Sequence, residues 1–233
     1  NGEDMKSASH HAMGHLLYEA LTAQGVLLDQ ELFVLGNMLP DYLPELILNP
    51  HFTLKCQREI HIFTEALAGQ PVTSGEQLPP EYALRLGILC HYLTDYFTFA
   101  HTPEFRLGLK EHGAYEKQLN DYFRGHYTAE ESTLQSDVFA RCESARDVAK
   151  EVYRMKRDYR TEGCTLARDI RYAFSACLGA MTQLIAVSEE REEHARAKRR
   201  ISFFTAERYA FRDSVCRRRI TPRRAWCPVA ACV

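Results

Sequence analysis

Apolar positions recur at helical spacing along most of the chain. From Ser9 onward Leu16, Leu17, Ala20 and Leu21 fall on one face, with Ser7 or Ser9 as cap, and predict a first helix. The stretch LLDQELFVLGNMLPDYLPELILNPHF is broken by Pro40, Pro44 and Pro50, so it predicts short helices and turns with Asp41 and His51 on loops. Further helices are predicted over about residues 54–68, 81–100, 104–124, 134–160 and 163–188. The polar GQPVTSGEQLPPE connects the first two of these. Pro103 is expected to close the 81–100 helix, because a residue before proline is biased away from helical geometry. The last two carry heptad-like stripes: Val138, Phe139, Cys142, Ala145, Val148 and Val152, then Leu166, Ile170, Phe174, Cys177 and Met181. No run of alternating strands, internal repeat or glycine-rich phosphate loop interrupts the pattern, and the class is all-α.

One helix breaks its own rule. Between Leu86 and Ala100 the apolar residues Leu86, Ile88, Leu89, Leu93, Phe97 and Phe99 surround the axis, which marks a buried helix, yet His91 and Asp95 sit among them. An unpaired carboxylate there would cost several kcal/mol, so Asp95 needs a cation, a hydrogen-bond network or a metal. His91 and Asp95 are four residues apart and share a face; His101 follows at the helix end, and His112 and Glu116 repeat the four-residue spacing on the next helix. An isolated HxxxD is most often a structural ion pair. Five nitrogen and oxygen ligand types within 26 residues are more than one ion needs, since zinc takes three or four, and two or more ions are expected. His10, Asp41 and His51 are upstream candidates, each at a helix start or in the proline-broken loop. No histidine has a glutamate three residues before it, and neither an adjacent His-Asp pair nor HExxH occurs, which excludes three other metal architectures. His15, His61, His126 and His194 have no partner that the sequence reveals.

Composition sets the boundaries. With 233 residues and 45% hydrophobic content the chain can bury one core, and a helical domain over 1–194 with a basic tail over 195–233 is expected. The tail holds eleven Lys and Arg against two acidic residues, leaving the body at about −11. Its KRR, CRRR and PRR clusters, interleaved with aromatics, suit anionic lipid head groups or nucleic acid; the plainer reading is an exposed basic helix with a disordered end. The eight cysteines form no CxxC pair and read as reduced core thiols. No stretch reads as an apolar membrane span, and NGEDMKSASHH lacks a signal-peptide layout. A cytoplasmic protein is expected, or a secreted one if this is a processed form.

The order of these residues resembles the zinc-dependent phospholipase C family. The matching pieces are His10 in SHHAMG, Asp41 in GNMLPDY, His51 in NPHF, then HYLTDYFTFAH and HGAYE, covering about residues 9–124. The single-strand-specific zinc nucleases share this fold and ligand order. The resemblance implies a multi-helical single domain. It also implies that Asp41, His51, His91 and Asp95 hold one zinc, that His101, His112 and Glu116 hold a second, and that Asp95 bridges to a third held by His10. Family members complete the third site with an N-terminal tryptophan, whereas this chain starts at Asn1 and has its one tryptophan at Trp226. His11 is an alternative to His10. Tyr42 matches an aromatic that lines the head-group pocket in choline-preferring relatives, but Leu48 replaces a second aromatic, so choline preference is not implied. Two to three zinc ions and a phospholipid substrate follow as expectations, with Asp41 orienting or deprotonating the attacking water. The alternatives are a single-strand nuclease, disfavoured by the acidic body, and a non-catalytic helical lipid binder stabilised by one zinc.

Overall fold

The computed structural model describes residues 6–42, 53–126 and 139–219. Among the described residues seven α-helices and one short 3-10 turn occur, with no strand: α1 Lys6–Ala23, α2 Gln30–Tyr42, α3 Thr53–Gly69, α4 Pro80–Tyr96, the turn Phe99–His101, α5 Leu109–His126, α6 Ala145–Thr161 and α7 Leu166–Arg219. The chain divides into two units, Asn1–Glu192 and Glu193–Val233.

Helix α1 stops where Gly25 takes a positive φ of 86°. Val26 N donates to Leu21 O at 3.1 Å and Gly25 N to Thr22 O at 2.9 Å, so a Schellman cap satisfies the last carbonyls and turns the chain into α2. Helix α4 begins with Pro80 at its first position, where a missing N–H costs nothing, and runs through the centre of the domain. From Leu89 to Tyr96 every residue of α4 is buried. Its apolar surround is supplied by α2, by α3 and by the first half of α7, whose Ser188 hydroxyl lies 3.1 Å from Tyr82 Oη and donates to Leu67 O at 3.0 Å.

The closest approach is between α2 and α4. A Cβ placed on Gly87 would lie 2.1 Å from Phe33 O, and one placed on Gly36 would lie 2.2 Å from Leu84 O. Two glycines therefore face each other where the backbones cross, nearer than side chains would permit.

Several elements differ from the sequence expectation. Asp41 is in the last turn of α2, with Pro40 inside the helix, and not on a loop. The proline removes one hydrogen bond, but Phe33, Val34, Asn37 and Pro40 are all buried, and that packing holds the helix past it. His51 lies outside the described residues. Helix α4 ends at Tyr96 and not near Ala100, for a reason given below. Helix α6 starts at Ala145, because Ser144 caps it: Asp147 N donates to Ser144 Oγ at 3.3 Å and Ser144 Oγ donates to Asp147 Oδ2 at 2.7 Å. Phe139 and Cys142 thus precede the helix, and Val138 lies outside the described residues. Helix α7 runs to Arg219, well beyond the expected 188. Contrary to expectation it also contains a window long and apolar enough to cross a membrane, but 72% of that window is buried, as a core helix requires. Cys90, Cys142 and Cys177 are buried free thiols, Cys56 is buried too, and Cys164 is free and exposed.

Candidate metal centre

The crossing of α2 and α4 sets the floor of a polar cluster. His91 comes one helical turn after Gly87, and its Nδ1 is 2.9 Å from the carbonyl oxygen of Asn37, the neighbour of Gly36. A carbonyl only accepts, so Nδ1 carries the hydrogen and the Nε2 lone pair is directed inward, as a metal-binding imidazole requires. The Asn37 amide donates to His10 O at 2.7 Å, tying α1 to the same spot. The His10 and His91 rings stack with centroids 4.0 Å apart. Asp95 bridges their Nε2 edges: its Oδ1 is 3.2 Å from His10 Nε2 and its Oδ2 is 3.3 Å from His91 Nε2. Asp41 Oδ1 approaches His91 Nε2 at 3.8 Å.

The other half comes from the turn after α4. His101 Nε2 is 3.5 Å from Asp95 Oδ1 and 3.4 Å from Glu116 Oε1, and His112 Nε2 is 2.8 Å from the same Glu116 oxygen. This return of His101 depends on α4 ending early. The Lys156 ammonium donates to Tyr96 O, and Asp169 Oδ2 accepts from Phe99 N at 2.7 Å. A buried cation and a buried anion thus take the carbonyl and the amide that another helical turn would use. Aromatic faces hold the cation, with Lys156 Nζ 4.1 Å from the Tyr159 ring centroid; burial still pulls its pKa down to about 8. Asp169 also accepts from Tyr115 Oη at 2.8 Å, Tyr159 Oη at 2.9 Å and Arg168 Nη2 at 2.9 Å. Tyr115 precedes Glu116, so one carboxylate braces both segments that carry this half of the cluster. Replacing Asp169 by asparagine is expected to cost about 3 kcal/mol, read by urea unfolding. A loss below about 1 kcal/mol would show that the turn does not depend on it.

Two groups of ligand atoms result, His10 with Asp41 and His91, and His101 with His112 and Glu116; within each group the atoms lie within 4.8 Å of one another. Asp95 stands between them. His10 Nδ1, Asp41 Oδ2 and Glu116 Oε2 are buried without a hydrogen-bond partner among the described residues. Imidazole nitrogen and carboxylate oxygen, three donors to a group, form a set that zinc accepts.

The electrostatics point the same way. Burial lowers the pKa of His10, but the hydrogen bond and charge of Asp95 outweigh it and raise the value to about 9. Burial also lowers His101, and Asp95 and Glu116 reverse the shift upward. His91 goes down, through burial and then the charge of His10. Burial pushes Glu116 up, yet hydrogen bonds from His101 and His112 bring it to about 2. The carboxylates therefore gather positive charge onto His10 and His101, and a divalent cation would replace those protons. Side-chain exposure is 0% at His91 and 4% at Asp95 but 21% at Asp41 and 22% at His112, so the centre has a closed floor and an open rim.

Seven of the eight expected ligands are described, and all seven converge. His10 is buried on the cluster and its neighbour His11 points outward, where it meets His15 with Nε2 atoms 3.3 Å apart. His15, which had no partner in the sequence reading, also receives Gln30 Nε2 at 3.1 Å. Tyr42 is half-exposed at the end of α2, one residue beyond Asp41. Asn37, Gly36, Gly87, Lys156 and Asp169 were missed. The two glycines carried a signal, each being a glycine inside an apolar helical pattern; the other three became visible only through long-range contacts.

No curated protein and no solved structure matches the chain. The family model described as zinc dependent phospholipase C matches residues 9–166, a span that begins just before His10 and holds every one of the converging residues. With that match over most of its length and the two ligand groups it encloses, the chain belongs to the zinc dependent phospholipase C family.

Proposed function

We propose that the protein is a phosphodiester hydrolase of the phospholipase C type, acting on a phospholipid with zinc held by His10, Asp41, His91, Asp95, His101, His112 and Glu116, and by His51. The observation that carries this reading is the pair of candidate ligand groups with Asp95 between them: its Oδ1 faces His10 of the first group and His101 of the second, and its Oδ2 faces His91 of the first. A single structural ion would use one group; a shared carboxylate between two suits a multi-ion centre. Zinc bound there would supply a nucleophile at neutral pH and neutralise charge on the phosphoryl oxygens.

The chain's own residues do the rest. The Asn37 carbonyl fixes the His91 ring, and Asp169 and Lys156 fix the His101 turn, so the cluster does not have to reorganise when charge develops. Asp41 is at the open rim, its carboxylate placed to orient the attacking water and take its proton. Attack forms a new phosphorus–oxygen bond and breaks the bond to the glycerol oxygen, which leaves with a proton as diacylglycerol. Tyr42 would border the head group.

Native mass spectrometry of the full chain is expected to show two or three zinc ions, with phospholipid hydrolysis lost on chelation and restored by zinc. Chelation should also lower the Tm, since the ions bind only the folded cluster. A single retained ion without hydrolysis would favour the zinc-stabilised lipid binder, and cleavage of single-stranded nucleic acid without phospholipid cleavage would favour the nuclease.

A further inference from the structure

The three most exposed large apolar side chains among the described residues are Leu109 at 91%, Leu54 at 80% and Leu107 at 65%, and all three lie in chain segments that adjoin residues of the metal centre. Leu107 and Leu109 lie in the segment between His101 and His112, and Leu54 follows Thr53, whose hydroxyl donates to His101 O at 3.1 Å. This concentration is not explained by the core, because the same segment has a separate anchor. The Phe105 ring packs edge-on to Phe99 at 5.6 Å and to His112 at 5.8 Å. Glu104 is held by Arg160 at 2.9 Å, and His112 N donates to Gly108 O at 2.9 Å. The segment is thus fixed at both ends and turns its two leucines to solvent.

Their neighbours are cationic. Arg106, Leu107, Gly108, Leu109 and Lys110 are consecutive and all exposed. Of the two nearby acids, Glu104 is occupied by Arg160, and Glu111 Oε2 folds back against Gly108. Although the first 194 residues are acidic as a whole, charges beyond about 8 Å are largely screened at physiological salt, and the local pair of cations governs what this edge meets. Leucines flanked by Arg and Lys, beside a polar cleft, have the character of a surface that enters the head-group region of a lipid layer.

We propose that the 106–110 segment, with Leu54, is the surface by which the protein docks on a phospholipid bilayer. Leu107, Leu109 and Leu54 enter the acyl boundary, and Arg106 and Lys110 meet anionic head groups. This rests on the phospholipid reading of the centre and adds how that substrate is reached: the rim of the cleft is itself the membrane contact, so a lipid need not leave the bilayer far to meet the ligands. It also moves the membrane contact from the basic tail, where the sequence suggested it, to the domain that carries the centre.

The test uses the full zinc-loaded chain, sedimented with phosphatidylcholine vesicles with and without phosphatidylglycerol, alongside hydrolysis of a short-chain phospholipid dispersed as monomers. Wild type is expected to partition onto the phosphatidylglycerol vesicles. Leu107→Asp/Leu109→Asp should weaken partitioning at least about tenfold, as the loss of two buried leucines implies, and leave kcat/KM on the dispersed lipid within about twofold. Arg106→Ala/Lys110→Ala should remove the phosphatidylglycerol-dependent part. A leucine variant that partitions within about twofold of wild type overturns the proposal, and so does loss of binding on replacing Arg217, Arg218 and Arg219 instead. A dimer that the leucine variant dissolves, with no vesicle binding, overturns it as well. Leucine-dependent vesicle binding without cleavage of the dispersed lipid would instead retain the docking surface and reject the phospholipase reading.

Discussion

Asp95→Asn is expected to lose zinc and hydrolysis together. Its two oxygens lie 3.2 Å from His10, 3.5 Å from His101 and 3.3 Å from His91, so one buried carboxylate adds negative charge to both halves of the centre, beside Asp41 in one and Glu116 in the other. Asparagine keeps the size but presents an N–H where one oxygen faced an imidazole nitrogen, and it removes the charge. Metal content should fall in both groups, and activity should drop by at least about 10³-fold, the scale on which loss of a directed electrostatic contact at a reacting centre is felt. The zinc-free fold should weaken as well, by about 3–5 kcal/mol, because three imidazoles lose a shared partner inside the protein. A variant that retains zinc, or retains hydrolysis, would show that Asp95 is a structural ion-pair residue and not the shared ligand.

Gly87→Ala is expected to have the largest effect on the fold. In an exposed helix the change would stabilise by roughly 0.5–1 kcal/mol, since alanine restricts the unfolded chain. Here the new Cβ would be 2.1 Å from Phe33 O and 2.8 Å from Asn37 N, both backbone atoms that no rotamer can move aside. Helices α2 and α4 would have to separate, at a cost of about 3 kcal/mol or more. Tm should fall by roughly 6–12 °C for a chain of this size. Zinc affinity should fall too, because the Asn37 carbonyl that orients His91 moves with α2. A neutral or higher Tm would mean that the crossing is looser than described.

Helix α4 shows how far periodicity alone can be read. Its all-round apolar surface predicted burial, and Leu86, Leu89, Leu93 and Phe97 are fully buried. The two polar interruptions then had to be partnered, because the cost of an isolated buried charge is a property of the residue and its surroundings and needs no coordinates. That reasoning singles out Asp95 and its neighbour His91, and the four-residue spacing adds His112 and Glu116 as candidates, with His101 at the helix end. The end of α4 shows the limit. Pro103 was the strongest local stop signal, but Lys156 and Asp169, 60 and 70 residues away, end the helix sooner by taking the Tyr96 carbonyl and the Phe99 amide. Local rules cannot weigh a bond whose partner is so distant in the chain. Pro40 is the opposite case, a local breaker overruled by the packing of α2. The choice between His10 and His11 also waited on the fold, since adjacent helical residues point in different directions and only the position of α1 against α4 decides which faces inward.

By itself, then, the sequence determined an all-α chain and the types, order and spacing of its candidate ligands, because helical period and the cost of buried charge act over a few residues. Only the tertiary structure decided where those residues meet: a glycine–glycine crossing sets the floor, and a buried lysine and aspartate turn His101 back. Each is a contact between distant parts of the chain, whose closure has an entropic cost that only the assembled core repays.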